Sequence, residues 1–131
     1  MNEVYKLLKN HYAEDAGARF RFNYSPEFLK WDLNAPGYIP EWIVGVRDKG
    51  KNNLYAFISG VPVNMTVNKK NLTMCEISFL CCHKALRNNR LAPVLIKEIH
   101  RRVACSDVWA AVYAADGDQP TSIASAHTWH R

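Results

Sequence analysis

Apolar positions along the chain change period several times, and each change marks an element. Over Glu3 to Tyr12, Val4, Leu7, Leu8 and Tyr12 fall on one side of a helix that Asn2 is placed to cap. AEDAGA breaks that pattern, and RFRFNY alternates as a strand with Phe20, Phe22 and Tyr24 on one face. Ser25-Pro26-Glu27 is a helix start, with a hydroxyl cap, proline at the first position and an acid in the first turn. Phe28, Leu29, Trp31 and Leu33 follow, and NAPGYIP ends that helix. WIVGVR then pairs with LYAFISG across the polar turn DKGKNN. PVNMTV leads through NKKN into LTMCEISFLCC. Short strands joined by polar turns imply antiparallel pairing.

After Pro93 the period returns to a helix, with Leu95, Ile96, Ile99 and Val103 as its apolar stripe and Lys97, Glu98, Arg101 and Arg102 facing outward. VWAAVY, Val108 to Tyr113, reads as a buried strand. A strand-helix-strand passage of this kind is a right-handed parallel crossover. The fold class is therefore α+β, an antiparallel meander closed by one βαβ unit. The tail ADGDQPTSIASAHTWHR reads as loop, and no repeat or linker divides the chain, so residues 1–131 form one domain.

The composition fits a folded domain, with 48% hydrophobic and 22% charged residues. A formal net charge of +5 favours anionic partners without choosing among them. No run approaches the ~18 apolar residues of a membrane span, and the N-terminus lacks a secretory pattern. The four cysteines are Cys75, Cys81, Cys82 and Cys105. The adjacent pair suits neither a disulfide framework nor a zinc knuckle, so free thiols in a reducing cytoplasm are expected. The sequons at Asn64 and Asn71 are then chance matches.

The chemistry gathers where a strand hands over to a helix, in EISFLCCHKALRNNRLAPVLIKEIHRRV. Such a junction aims backbone N–H groups outward, and the helix dipole adds roughly half a positive charge. Arg87 and Arg90 add full charges to the same mouth. That makes a seat for a pyrophosphate, although GxxxxGK[ST] is absent. Read from the residues alone, the two arginines serve equally well as solvated surface charges. Cys81 and Cys82 lack a positioned base for a nucleophilic role. His127 and His130 in HTWH have helical metal spacing but no further ligand beside them. His83 either pairs with a phosphate or caps the strand end. Trp31, Trp42, Trp109 and Trp129 read as core or rim packing.

The same junction segment closely resembles the acyl-CoA-binding segment of the eukaryotic N-myristoyltransferases, whose architecture is GNAT-like. YKLLKNHYAEDAGARFRFNYSPEFLKWDL, NAPGYIPEWIVGVR, FISGVPVNM and the final WHR follow in family order, so the resemblance covers essentially the whole chain. It corresponds to the N-terminal half of that double-GNAT enzyme. The segment upstream that folds over the coenzyme and the entire second half lie outside this sequence.

The resemblance implies an acyltransferase that moves a myristoyl group from myristoyl-CoA to the N-terminal glycine amine of proteins. No permanent cofactor and no metal are implied, myristoyl-CoA being the acyl-donor substrate. It assigns the oxyanion hole to the backbone N–H groups of Phe79 and Leu80, at a bulged strand end. Coenzyme contacts fall on Cys81, Cys82, Lys84, Arg87, Asn88, Asn89, Arg90, Leu91, Ala92 and Pro93. Peptide contacts fall on Tyr12, Glu14, Asp15, Phe20, Arg21 and Phe22. Two positions depart from the family: Ser78 stands where it has Asn, and Ala114 where it has Thr, both residues that hold the substrate amine. Ala16 and Gly17 also replace two aspartates of the family's acidic loop. These departures leave a second reading, a non-catalytic or truncated acyl-CoA-binding relative. The family's proton acceptor is the C-terminal carboxylate of the second half. The face that this half would cover is open to pairing with it or with a second copy. Nucleic-acid binding has only the net charge behind it and is not expected.

Overall fold

A computed structural model describes residues 2–11 and 24–113, with backbone alone at 87 and 88. The elements are α1 (Asn2–His11), α2 (Pro26–Leu33), β1 (Ile43–Arg47), β2 (Leu54–Val67), β3 (Lys70–Cys82), α3 (Leu91–Cys105) and β4 (Ala111–Tyr113). Two short 3₁₀ helices intervene, Pro40–Trp42 and Lys84–Asn89. The sheet order is β1-β2-β3-β4. The first two pairings are antiparallel, and β3 pairs parallel with β4 across α3. This is the expected meander closed by a βαβ unit.

Local chemistry explains the boundaries. Ser25 Oγ accepts a hydrogen bond from the Phe28 N–H (3.1 Å) and Pro26 opens α2, as a capped, proline-led start requires. Asn2 lies inside α1 rather than capping it. The hairpin from β2 to β3 turns on Asn68 and Lys69, both at positive φ (50° and 64°). Two consecutive left-handed residues make the tight turn whose twist suits a hairpin.

The expected break between LYAFISG and PVNMTV does not occur; β2 runs unbroken through Pro62. The reason lies in the register. Pro62 faces Cys75, whose N–H donates to Ala110 O (2.9 Å) on the β4 side. The two therefore exchange no bond, and the proline's missing donor faces the other edge of β2. There β1 has already ended, its last pair being Ile43 with Ser59.

The sheet is covered on both faces. On one, α3 packs Leu95, Ile99 and Val103 against Trp42, Ala56, Ile58 and Cys75. On the other, α1 and α2 pack Leu7, Leu8, Leu29 and Leu33 against Phe57, Phe79 and Cys81. Gly60 lets α3 approach, because a Cβ there would stand 2.6 Å from Cys75 Sγ and 3.1 Å from Ile99 Cδ1.

Three expectations need correcting. Ile96 is half exposed rather than part of the core stripe, since α3 turns only the Leu95-Ile99-Val103 row onto the sheet. VWAAVY is not a buried strand: only Ala111–Tyr113 is paired, and Trp109 and Tyr113 are exposed at the open side of the sheet. Of the tryptophans, Trp42 is core as expected, but Trp31 is exposed on α2. The RFRFNY strand, apart from Tyr24, and the loop assigned to the tail lie outside the described residues, as do Trp129, His127 and His130. Tyr24 itself is not in a strand.

Candidate functional site

The antiparallel ladder between β2 and β3 carries one extra residue. Phe57 faces Cys81 and Ser59 faces Ser78, so Phe79 and Leu80 together oppose Ile58. This is a β-bulge, at the two residues expected to form a bulged strand end. Phe79 takes up the excess length in the left-handed region (φ 55°). For a non-glycine residue that conformation costs roughly 1–2 kcal/mol. Burial of the Phe79 ring among Leu7, Leu29 and Cys81 and an edge-to-face contact with Tyr24 (5.4 Å) offset it. The bulge sends Phe79 to the α1–α2 face and Leu80 to the α3 face.

Leu80 forms part of the wall of an apolar cavity of about 290 Å³ between α3 and the β3–β4 seam. Ile77, Ile96, Ile99, Val103, Trp109 and Tyr113 contribute most of the rest. Ile96 and Trp109, exposed in the fold as a whole, find their role at this rim.

Beyond the bulge, β3 runs through buried Cys81 and half-buried Cys82 into the 3₁₀ helix Lys84–Asn89. The His83 Nδ1 accepts from the Ala85 N–H (3.1 Å), so His83 caps this helix, one of the two roles left open for it. Its ring lies 4.0 Å, centroid to centroid, from that of His11, whose Nδ1 accepts from the Lys84 N–H (3.2 Å). These contacts tie the end of α1 to the start of the turn. Arg90, left-handed at φ 56°, then swings the chain into α3. Lys84, Asn89 and Arg90 are exposed, and Leu91 and Ala92 are half-buried. Among the described residues Arg90 makes no ion pair.

The start of α3 has an unusual electrostatic character. Its first turn holds no acid, and no side chain caps it. A helix start left in this state keeps donors and partial positive charge turned outward. Pro93, third in the helix, has no N–H to leave unsatisfied. The acid of α3 sits farther along, where Arg101 (2.7 Å) and Arg102 (2.8 Å) hold the Glu98 carboxyl down at about 2. Burial pushes the Cys75 thiol up to about 11, so it is protonated and unreactive near neutrality. Among the described residues no group of three His, Cys, Asp or Glu gathers as for a metal.

In chain order the bulge at Phe79 and Leu80 is followed by the turn Lys84–Asn89 and then by Leu91, Ala92 and Pro93 at the start of α3. Ser78 precedes the bulge on β3. Tyr12, Glu14, Asp15, Phe20, Arg21, Phe22 and Ala114 lie outside the described residues. Sequence reasoning missed Ser59, the one buried polar residue among those described, whose Oγ donates to the Ser78 carbonyl (3.0 Å). A lone hydroxyl in the middle of the apolar run LYAFISG was the available signal. An apolar cavity beside the bulge and an open helix start suit one kind of ligand. It has an apolar tail, a polarisable carbonyl and an anionic head.

Residues 1–126 match the model of the family described as myristoyl-CoA:protein N-myristoyltransferase, N-terminal domain. The chain is 53% identical over 130 residues to glycylpeptide N-tetradecanoyltransferase 1 of Arabidopsis thaliana, covering 99% of this chain and 30% of that protein. It is 50% identical to the Dictyostelium discoideum glycylpeptide N-tetradecanoyltransferase, covering 100% of this chain and 32% of the relative. A crystal structure of Saccharomyces cerevisiae N-myristoyltransferase with bound myristoyl-CoA superposes with a TM-score of 0.83 at 49% identity. That match covers 92% of this chain and 28% of the yeast chain. The chain spans about a third of the length of the curated relatives it matches. The fold is accordingly the GNAT-like one of those structures, and the chain belongs to the N-myristoyltransferase family, matching its N-terminal domain.

Proposed function

We propose that this chain is the acyl-CoA-binding part of an N-myristoyltransferase, which transfers a myristoyl group from myristoyl-CoA to the N-terminal glycine amine of a protein. The observation that carries this reading is the bulge at Phe79 and Leu80, from which Leu80 lines an apolar cavity. The cavity takes the part of the acyl chain next to the thioester. The N–H groups of Phe79 and Leu80 face the thioester oxygen. The diphosphate rests over the turn and the start of α3, against Lys84, Arg87, Asn88, Asn89 and Arg90 and the backbone of Leu91, Ala92 and Pro93. Cys81 and Cys82 border the coenzyme.

In the reaction the glycine nitrogen attacks the thioester carbon. A C–N bond forms, the C–S bond breaks, and the coenzyme leaves as a thiolate that takes up a proton. Negative charge develops on the carbonyl oxygen in between. Fixed donors aimed at that charge lower the barrier by several kcal/mol, about 3–4 for one such donor. The peptide binds through Tyr12, Glu14, Asp15, Phe20, Arg21 and Phe22, with Ser78 and Ala114 near its amine. A base outside this chain, in the second half that the longer relatives possess, accepts the amine's proton. That half pairs with the exposed apolar rim of Ile96, Trp109 and Tyr113. The setting is the cytoplasm, where this modification of proteins to lipoproteins meets reduced thiols. Among the described residues Cys75, Cys81, Cys82 and Cys105 form no disulfide, and no helix is long and apolar enough to cross a membrane.

Titration calorimetry with myristoyl-CoA, followed by radiolabel transfer to a peptide beginning with Gly, tests the reading. Binding with transfer supports it. Binding without transfer, when the second half of a longer relative is supplied in trans, favours a non-catalytic relative, the reading that Ser78 and Ala114 motivate. Absence of binding removes both. Trp109 offers a local readout, since it lines the cavity and is 71% exposed. Its emission should shift to the blue when an acyl chain covers it, and Trp109→Phe should abolish the shift.

A further inference from the structure

Ser59 is 1% exposed, and its hydroxyl donates to the carbonyl of Ser78 at 3.0 Å. A hydroxyl carried into the interior without use costs roughly 1–3 kcal/mol. Alanine would fill the same place in an apolar strand at no such cost. The position of the accepting carbonyl suggests what the hydroxyl does. The Ser78 carbonyl and the Phe79 N–H belong to one peptide group, and no peptide bond among the described residues is cis. In a planar trans peptide these two point in opposite directions. Holding the carbonyl toward Ser59 therefore fixes the Phe79 N–H to point away from it. The same plane sets one side of the Phe79 N–Cα bond, about which φ stands at 55°. The direction of the Leu80 N–H then depends on φ and ψ of Phe79 together, starting from that plane. Gly60, the next residue, confines Ser59 further, because β2 there is pressed against Cys75 and Ile99 too closely for any Cβ.

We propose that Ser59 is a positioning residue for the thioester site: its hydroxyl locks the Ser78–Phe79 peptide plane, and so aims the first donor of the bulge, the Phe79 N–H, and sets the plane from which the second, the Leu80 N–H, is reached. The aim of those donors matters to chemistry only on the acyl-CoA reading given above, and the inference rests on that reading to this extent. Held by a second strand, the bulge keeps its shape before ligand arrives. Without the hydroxyl, the ladder relaxes Phe79 toward the extended region, where a phenylalanine is less strained.

The test compares Ser59→Ala, Ser59→Thr and the wild-type chain by backbone NMR. Ser59→Cys, equal in shape with a weak donor, replaces Ser59→Ala if that variant does not fold. Without ligand, Ser59→Ala should move the Phe79 Cα and Cβ shifts from left-handed toward extended values and shift the Ser78 carbonyl carbon, while Ser59→Thr restores both. With myristoyl-CoA, Ser59→Ala should bind within about threefold of wild type, because the diphosphate contacts are untouched. The ligand-induced shifts of the Phe79 and Leu80 amides should nevertheless fall to less than half, and Ser59→Thr should recover them. Unchanged Phe79 and Ser78 shifts in a folded Ser59→Ala chain would overturn the proposal, and so would a failure of threonine to restore them. If wild-type Phe79 and Leu80 amides ignore myristoyl-CoA, the thioester site is wrong, yet the ligand-free comparison still decides whether Ser59 holds the bulge.

Discussion

At the scale of single residues, the site depends on backbone in uncommon conformations. Phe79 and Arg90 both adopt positive φ, one at each end of the proposed coenzyme path. If that path carries the diphosphate, Arg87→Ala with Arg90→Ala should weaken myristoyl-CoA binding by ~2–4 kcal/mol, the loss of two charge-assisted contacts. Calorimetry reads this directly, and an unchanged affinity would put the diphosphate elsewhere. Gly60 allows a sharper structural prediction. Gly60→Ala places a methyl group 2.6 Å from Cys75 Sγ. Overpacking of this kind costs about 1–3 kcal/mol. Denaturant unfolding should show that loss, and a smaller one in a Cys75→Ala background where the clashing sulfur is gone. The cost should be equal in both backgrounds if contact with Ile99 alone governs the site.

Among the elements, α3 does most to join fold and site. Its buried row holds the sheet, its start faces the proposed anion, and Glu98 on its half-exposed side is clamped by two arginines. The folded Glu98 carboxyl, at about 2, is depressed from an ordinary value of 4.5. A carboxyl depressed by folding contributes stability above its unfolded value, and that contribution is lost as pH falls through the folded one. Thermal melts from pH 5 downward should therefore show a shallower acid-induced loss in Glu98→Gln than in wild type. Parallel curves would mean that solvent screening removes the effect at this exposed pair. Much of this architecture was legible in the sequence, because period and turn chemistry are local. The Ser25 cap, the hairpin, the helix after the basic turn and the parallel return of β4 all follow from a few neighbouring residues. The run of β2 through Pro62 was not legible, since it depends on where β1 ends on the other edge. Nor was the exposure of Ile96 and Trp109, which depends on how far β4 extends. The bulge at Phe79 was expected only through family resemblance. No alternation of apolar residues distinguishes a bulged strand end from a regular one, and its hydroxyl support from Ser59 comes from another strand.

Over the whole molecule, a formal net charge of +5 favours anionic ligands; on the proposed reading that field attracts the coenzyme head, and the apolar cavity takes its tail. These two forces respond differently to salt. Raising ionic strength from about 0.05 to 0.5 M shortens the screening length from roughly 14 to 4 Å. The affinity for myristoyl-CoA should fall several-fold over that range, while the affinity for free myristate changes far less. Equal salt dependence for the two would count against a charge-held head group. Family membership and the exposed rim of the cavity fit a unit that works beside further chain, as in the longer relatives. The order β1-β2-β3-β4 has a bearing on how such a chain is made. Every strand among the described residues lies beside its neighbour in sequence, so on a ribosome adding ~5–20 residues per second each new one finds its partner already waiting. The hairpin of β2 and β3 can close in microseconds, on the order of 1–10. The bulge within it would then be set long before translation delivers the helix and the last strand that wall the cavity.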